Sequence, residues 1–405
     1  MVIVLFALAV VATVSVLAWL FILLHPARAW DFQPVGDDGP IPDIDGSETF
    51  PEISILVPAR NEALSLPNTL PALLTQNYPS PYHVILIDDR SADGTAGVAQ
   101  KIAADLNQSA KLTVISGAPL PKGWSGKVWA LDQGVKLALA DTQAQFVLLT
   151  DADILHLPDS LRRLVAESVT AHLGLNSRMA RLRCVSPAEK LLIPAFVFFF
   201  NLLYPMRRVN NPSDKTAAAA GGCVLLSREA VDKMGGGFAP IRNEIIDDVN
   251  LARQVKGAGL ATRLSLSRSE VQSLRAYPRI HDIWLMVRRT AFTELKYSWV
   301  RLAGSMLGLG ILFVFPVLAV CAGAAGILFS SNMETRLICA GALVKGGLAL
   351  ALIRAVYAPA VRFFDLPAKY AYTLPLSGVL YAMMTLDSAL RHARGKGVQW
   401  RDKGS

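Results

Sequence analysis

The sequence predicts an α/β protein: a doubly wound, mostly parallel sheet, framed by apolar helices able to cross a bilayer at the N-terminal end and in the last third of the chain. Three observations predict it. From residue 52 to residue 150, short apolar runs of strand length alternate with helical patterns, as strand–helix–strand units require. Three of those strands end in polar clusters, and open α/β sheets bind ligands beyond the carboxyl ends of their strands. Val2 to Leu24 and Leu302 to Ser330 carry no charge, and each exceeds the about 20 apolar residues that a crossing helix needs.

Composition sets the bounds. A chain of 405 residues allows roughly two domains, or one domain with membrane segments. With 52% hydrophobic and only 18% charged residues it is too apolar for an ordinary soluble enzyme. The net charge of +8 is gathered beside the apolar segments and in the tail, which points to an anionic membrane surface and not to nucleic acid. Cys184, Cys223, Cys321 and Cys339 form no C-x-x-C pair, so neither a disulfide framework nor a zinc site is implied.

Residues 1–28 read as a retained transmembrane anchor. The Ala27-Arg-Ala29 stretch resembles a signal-peptide cleavage site, but no basic region precedes the apolar run, which is longer than a signal peptide uses. Arg28, with His25 beside it, places the following domain on the cytoplasmic side by the positive-inside rule. Residues 29–51, rich in Pro, Gly and Asp, read as a linker.

The domain expected over 52–278 begins with a strand from Glu52 to Val57, the segment Pro58-Ala-Arg-Asn-Glu62, and a helical pattern through Leu64, Leu66, Leu70 and Leu73. A strand from Tyr82 to Ile87 leads into Asp88-Asp-Arg-Ser-Ala-Asp-Gly-Thr95. A helix over about 95–106 and a strand over 111–116 follow. Lys122-Gly-Trp-Ser-Gly-Lys127 is a basic, glycine-containing loop, and Val128 to Ala140 is helical. The buried run Gln145 to Leu149 then delivers Asp151 and Asp153, two carboxylates separated by one small residue. Hard oxygen ligands at a strand end suit Mg²⁺ or Mn²⁺, which are usually held by one or two carboxylates plus substrate phosphates. Alone, an Asp-x-Asp is most often a solvated turn; the surrounding set gives it weight. No G-x-G-x-x-G or Walker A sequence occurs, which removes dinucleotide oxidoreductases and ATPases from first consideration.

Further on, Leu191 to Tyr204 is apolar and aromatic, readable as an interfacial or re-entrant helix or as a buried core helix. Gly221 and Gly222 allow close backbone approach to a ligand, or tight packing. Asp247 and Asp248 stand at a helix start, where the macrodipole favours negative charge. Ser267 to Ala276 reads as an edge strand. Residues 279–301 form a basic amphipathic stretch for the membrane surface. Within 302–390, Leu337 to Val361 contains Lys345 and Arg354, and Ala371 to Leu386 is short and contains Pro375. If all three C-terminal segments crossed, the basic tail 391–405 would end opposite the catalytic domain, against the positive-inside rule. Either one segment is re-entrant or the long run turns back within the bilayer; Lys345 points to the middle segment, unless its charge faces a helix bundle or the lipid headgroups.

The ordered set Pro58-Ala-Arg-Asn-Glu62, Asp88-Asp-Arg-Ser-Ala-Asp-Gly-Thr95, Gly126-Lys-Val-Trp-Ala-Leu131, Asp151-Ala-Asp153, Gly221-Gly222 and Asp247-Asp-Val-Asn-Leu251 resembles the GT-A glycosyltransferases of family 2. The arrangement of membrane segments is similar to that of bacterial hopanoid-associated glycosyltransferases and, more distantly, of ceramide glucosyltransferases. The resemblance implies that Asp88 and Asp89, helped by Glu62, contact the uridine of a UDP-sugar, with Pro58 in the same wall. It implies Asp151 near the ribose or metal, Asp153 as principal metal ligand, and Asp248, beside Asp247, as general base. Asp247 stands where Glu is usual, and Arg90 follows the Asp pair where a small residue is commoner. In processive members a Gln/Arg-x-x-Arg-Trp motif follows; here Met286-Val-Arg-Arg289-Thr290 keeps Arg289 but lacks the Trp, which favours a single sugar transfer over a polysaccharide synthase.

The chemistry asks for these types. A diphosphate leaving group develops charge that a divalent cation and Lys127 can stabilise, and the attacking hydroxyl must lose its proton to a carboxylate. The expected protein is a multi-pass enzyme of a bacterial-type inner membrane, its catalytic domain facing the cytoplasm. It transfers sugar from a UDP-sugar, with inversion, to the hydroxyl of a lipid in the bilayer.

Overall fold

Alternation of buried side chains builds one seven-stranded sheet. The computed structural model describes residues 2–32, 39–44, 50–141, 143–244 and 246–395. Linker positions 33–38 and 45–49 and the tail residues Lys396, Arg401 and Lys403 lie outside the described residues. The strands are β1 (Ile53–Ala59), β2 (Tyr82–Asp88), β3 (Leu112–Ser116), β4 (Phe146–Thr150), β5 (Ile154–His156), β6 (Leu173–Met179), β7 (Cys223–Ser227), β8 (Ala261–Leu266) and β9 (Val271–Ser273). The large sheet runs β3-β2-β1-β4-β7-β6-β8, and β5 pairs with β9 in a two-stranded sheet. The pairings from β3 to β4 and between β6 and β8 are parallel, whereas β7 lies antiparallel between β4 and β6. The sheet is therefore mixed and mostly parallel, as the alternation of strands and helices predicts.

Successive residues of one strand point to opposite faces, and the core divides accordingly. Ile53, Ile55, Val57, Val84, Leu86 and Leu148 pack with Leu66, Leu70 and Leu73 of the helix Leu66–Leu74 and with Leu161 and Leu164 of the helix Ser160–Thr170. Leu56, Ile85, Ile87, Val147 and Leu149 pack with Val128, Leu131 and Val135 of the helix Gly126–Asp141 and with Leu251 and Val255 of the helix Asp247–Gly257. Both faces are covered, which makes the sheet doubly wound.

Two expectations need adjustment. Leu64 does not join the helical pattern: it is 92% exposed and the helix begins at Leu66. The edge strand expected over 267–276 contracts to β9, because Ser267 Oγ accepts the Val271 N–H in a turn and Leu274 N donates to Asp153 O (2.9 Å).

The chain forms two compact units. One holds the sheet, in Gln33–Arg183 and Met206–Ala276; the other gathers Met1–Phe32, Cys184–Pro205 and Tyr277–Gln399. The sequence reading puts 184–205 inside the 52–278 domain, but its helix Pro187–Leu203 is a buried element of the second unit. Ser186 caps it in a capping box with Glu189, Tyr381 Oη donates to Leu192 O (2.9 Å), and Phe198 lies 5.4 Å from Tyr357, ring to ring. The helix is packed within this unit, and one of its partners, Met333–Phe363, is itself long and apolar enough to cross a membrane.

Among the described residues three helical stretches are long and apolar enough to cross a membrane: Phe6–Leu24, Trp299–Phe329 and Met333–Phe363. The middle C-terminal segment, the one Lys345 points to, is thus a helix of 31 residues that qualifies. The last segment, the helix Leu374–Ala393, is not among the three. Its Asp387 accepts from Trp284 Nε1 (2.8 Å) and pairs with Arg288 (3.3 Å), both on the helix Ile280–Glu294. That helix ends before Trp299, so the amphipathic stretch expected over 279–301 is divided between it and the start of the next helix. An apolar cavity of ≈ 510 Å³ in this unit is lined by Phe313, Val317, Leu350, Ile353, Leu376 and Val379.

Candidate active site

The candidate residues of the sheet unit converge on the carboxyl ends of β2, β1 and β4, three neighbouring strands. The loops after β1 and β2 are stitched to each other by side chains. Glu62 N donates to Thr95 Oγ1 (2.9 Å), Ala63 N to Asp93 Oδ2 (3.0 Å), Asn61 N to Ser91 Oγ (2.9 Å) and Ala92 N to Asn61 Oδ1 (2.9 Å). Asn61 and Arg90 sit at φ 54° and 53°, a left-handed conformation that side chains rarely adopt and that clusters at functional sites. Pro58 is buried on β1 opposite Ile87. Asp89 is buried and pairs with Arg60 (3.0 Å) and Arg90 (3.7 Å), while Asp88 stays partly exposed and accepts from Ser91 N (3.1 Å). Of the two, Asp88 offers the more accessible carboxylate.

Beyond β4 the carboxylates separate into two groups. Lys127, on the first turn of its helix, reaches Asp151 (2.8 Å) and Asp247 (3.6 Å). Asp248 Oδ2 accepts from Gly221 N (2.9 Å) and Oδ1 from Val249 N (2.8 Å). A carboxylate has about four lone-pair sites, so acceptor capacity remains. Burial, and then the neighbouring Asp247 charge, push Asp248 up to about 7 against the pull of Lys127 and the two N–H groups. Burial works against the charge on Lys127, but Asp151 and Asp247 outweigh it and hold the amine above the ordinary lysine range.

The second group is Asp153, Glu62 and Arg275. Arg275 Nε lies 2.9 Å from Asp153, and its terminal nitrogen 3.5 Å from Glu62, whose other oxygen accepts from Ser65 Oγ (2.7 Å). Burial raises Asp153 above the usual carboxylate range, more than Arg275 lowers it, and Asp151 and Glu62 add to the rise. The short β5–β9 ladder, Ile154 opposite Ser273, carries Arg275 to this place. Nothing in the local sequence signals it, because the pairing joins segments far apart in the chain.

The two glycines divide the roles left open by the sequence. A Cβ on Gly222 would meet Ile154 Cδ1 at 3.0 Å, so Gly222 is a packing position. A Cβ on Gly221 would come within 3.1 Å of Lys127 Nζ and 3.4 Å of Asp248 Oδ2, so Gly221 gives the site its room. Behind them, the Thr150 hydroxyl donates to Gly222 O (2.9 Å) and pairs with His156 Nε2 (2.8 Å), whose ring burial holds down to about 4 and therefore neutral. Gly221→Ala should leave the fold intact, since the flexible end of Lys127 can yield, but misplace the amine and lower turnover by up to about 10²-fold. Steady-state kinetics beside a thermal melt check this. Arg289 stands exposed on the helix Ile280–Glu294 of the other unit.

Among the described residues no three His, Cys, Asp or Glu side chains converge as a metal cage. The donor set nevertheless fits Mg²⁺ or Mn²⁺: Asp151 and Asp153 are hard oxygen donors, and five carboxylates (Glu62, Asp151, Asp153, Asp247, Asp248) face the cations Lys127 and Arg275. That surplus of negative charge suits a divalent cation brought with phosphates.

Comparison with known proteins finds similarity over part of the chain. Residues 54–235 match the family model described as Glycosyl transferase family 2; the match ends before Asp247 and Asp248. The glycosyltransferase AglE of Haloferax volcanii is 36% identical over 58 residues, 14% of this chain, and the chain spans only 19% of that curated relative. Similar solved structures include the mannosyltransferase PcManGT from Pyrobaculum calidifontis in complex with GDP-Man and Mn²⁺, at 18% identity and a TM-score of 0.49, covering 94% of this chain and 99% of that one. Another is glucosyl-3-phosphoglycerate synthase from Mycobacterium tuberculosis in complex with Mn²⁺, UDP and phosphoglyceric acid, at 18% identity and a TM-score of 0.41, covering 61% and 78%. Residues 54–235, with Asp88, Lys127, Asp151, Asp153 and Gly221 among them, are the part of the chain that is similar to the glycosyl transferase family 2 model.

Proposed function

We propose that the chain is a membrane-bound, metal-assisted, inverting glycosyltransferase that moves one sugar from a UDP-sugar to the hydroxyl of a membrane lipid. The observation that carries this is Asp248, a carboxylate poised at about 7 beside Gly221 and next to the Lys127–Asp151 pair. A base at that value is ionised for part of the time near neutrality and still basic enough to accept a proton.

In this reading Asp88 and the loops at 60–65 and 88–95 hold the nucleoside. Asp151 and Asp153 would hold Mg²⁺ or Mn²⁺, which when bound supplies charge neutralisation for the departing diphosphate. Lys127 adds a fixed positive charge on the same side. Asp248 takes the proton of the acceptor hydroxyl as its oxygen attacks the anomeric carbon. Asp248 forms no bond to the sugar, so a single displacement inverts the configuration.

Three apolar helices and the ≈ 510 Å³ apolar cavity support a lipid acceptor, which need not leave the bilayer. Three crossings would return the basic C-terminal end to the side from which the N-terminal helix emerges, and the positive-inside rule makes that side cytoplasmic. The parity problem then disappears, with the helix Leu374–Ala393 lying along the surface. Hopanoids are the acceptor class favoured by the sequence resemblance. The chemistry of PcManGT makes GDP-sugars the donor to compare.

The test is nucleoside diphosphate release by the detergent-purified full chain across UDP- and GDP-sugars, with and without membrane lipid extract. Metal-dependent release that rises at least about tenfold with lipid, with a glycolipid found by mass spectrometry, is the expected result. Release indifferent to lipid would replace lipid transfer by donor hydrolysis. Nucleotide binding with no release from any donor would leave a non-catalytic scaffold.

A further inference from the structure

Arg275 is a charged residue at this site that the reaction scheme above leaves without a task. Its position is built: β9 pairs with β5, and Leu274 N donates to Asp153 O (2.9 Å), so the residue after Leu274 must lie beside the Asp153 side chain. Its guanidinium bridges two carboxylates from different strand ends, Asp153 (2.9 Å) after β4 and Glu62 (3.5 Å) after β1. Burial and neighbouring carboxylates would otherwise leave these groups short of positive charge. The side chain is 36% exposed, so it is not locked in place by packing.

We propose that Arg275 is a placeholder cation and positioning residue that couples metal binding to nucleotide binding. It neutralises Asp153 and Glu62 until Asp153 turns to a divalent cation. The released guanidinium then moves to the diphosphate of the donor, whose oxygens its planar fork of N–H groups can bind two at a time. Metal alone takes Asp153 from Arg275 and offers no phosphate as a receiver in its place, leaving the longer Glu62 contact at 3.5 Å. Metal arriving with a nucleoside diphosphate provides that receiver, so the two ligands bind better together than apart. Such reciprocity is a coupling between ligands carried by one side chain. No covalent step is involved. The inference rests on the metal-assisted reading above.

The experiment measures Mn²⁺ binding to the full-length protein in detergent by electron paramagnetic resonance of free Mn²⁺, alone and with UDP or GDP. Wild type should bind Mn²⁺ weakly alone and at least about tenfold more tightly with the nucleotide it prefers. Arg275→Gln should bind Mn²⁺ alone about tenfold more tightly than wild type, since a unit positive charge a few ångströms away is removed. It should also lose most of the nucleotide effect. Arg275→Lys keeps the charge but not the fork, so Mn²⁺ alone should bind as in wild type while the nucleotide effect falls. Melting temperatures identify any variant that fails to fold, in which case the lysine variant carries the test. A folded Arg275→Gln that binds Mn²⁺ as weakly as wild type, or keeps the full nucleotide effect, overturns the placeholder. Nucleotide binding with no Mn²⁺ binding in any protein would instead overturn the metal-assisted reading, and the placeholder with it. An Asp153→Ala control should show no site-bound Mn²⁺.

Discussion

Asp248→Asn should lower sugar transfer by about 10²–10⁴-fold, the usual contribution of a positioned general base, while donor binding stays near wild type. The asparagine Oδ1 can still accept a backbone N–H, so the loop at Gly221 should hold its shape. In the wild type the rate should climb with pH and level off above about 7, where Asp248 becomes ionised. The climb follows because the working form is the carboxylate and burial, with Asp247, favours the neutral acid. In the variant that limb should vanish from the pH–rate profile. Stability should respond with the opposite sign. A carboxyl raised from its ordinary value of about 4 to about 7 favours the fold most at low pH, and that contribution is lost as pH rises through 7. Asp248→Asn removes the loss, and at pH 8 the variant should be the more stable protein. A variant that is less active and equally pH-dependent would assign the proton to another group.

Asp153→Ala should abolish the metal dependence of transfer and cost about 10²–10⁴-fold in kcat, the weight of several kcal/mol of charge stabilisation at the leaving group. Wild type treated with a chelator should fall to a similar rate, and the variant should be indifferent to chelator. Binding should distinguish this residue from Asp248, because loss of Asp153 weakens nucleoside diphosphate binding in the presence of Mn²⁺ whereas loss of Asp248 does not. Isothermal titration with the nucleotide, with and without metal, reads that difference. Activity that survives in Asp153→Ala and remains chelator-sensitive would move the metal to other oxygens. Arg275 keeps Glu62 as a partner in the variant, so the fold should tolerate the change.

Much of this arrangement is legible before any coordinates, for a physical reason. β1, β2 and β4 are buried on both faces, so their sequences are continuous apolar runs, and the residues that follow must break the run and face solvent or ligand. That puts Asp88, Asp151 and Asp153 at strand ends by necessity. The antiparallel placement of β7 is not legible, since a five-residue apolar strand reads alike in either direction. Neither is Arg275, carried in by a three-residue strand too short to show a period. Asp89, which the resemblance sets with Asp88 against the uridine, is paired with Arg60 and Arg90, an arrangement that follows from loop geometry and not from composition. The helix Pro187–Leu203 has a length and apolarity that fit a core, an interface or a bilayer equally, and only its partners decide.

That helix has a consequence for how the protein is made. The polypeptide leaves the sheet unit after Arg183, contributes Pro187–Leu203 to the other unit, and returns at Met206 to supply β7, β8 and the helix bearing Asp247 and Asp248. During synthesis the helix emerges long before the segments it packs with, Met333–Phe363 and Leu374–Ala393, have been translated. Its Phe198, Phe199 and Ile193 must wait unpaired, a state that invites aggregation or capture by a chaperone. A soluble fragment cut at residues 33 and 276 would make that waiting permanent. Expression trials that shorten the chain to its sheet should therefore replace 184–205 with a polar linker.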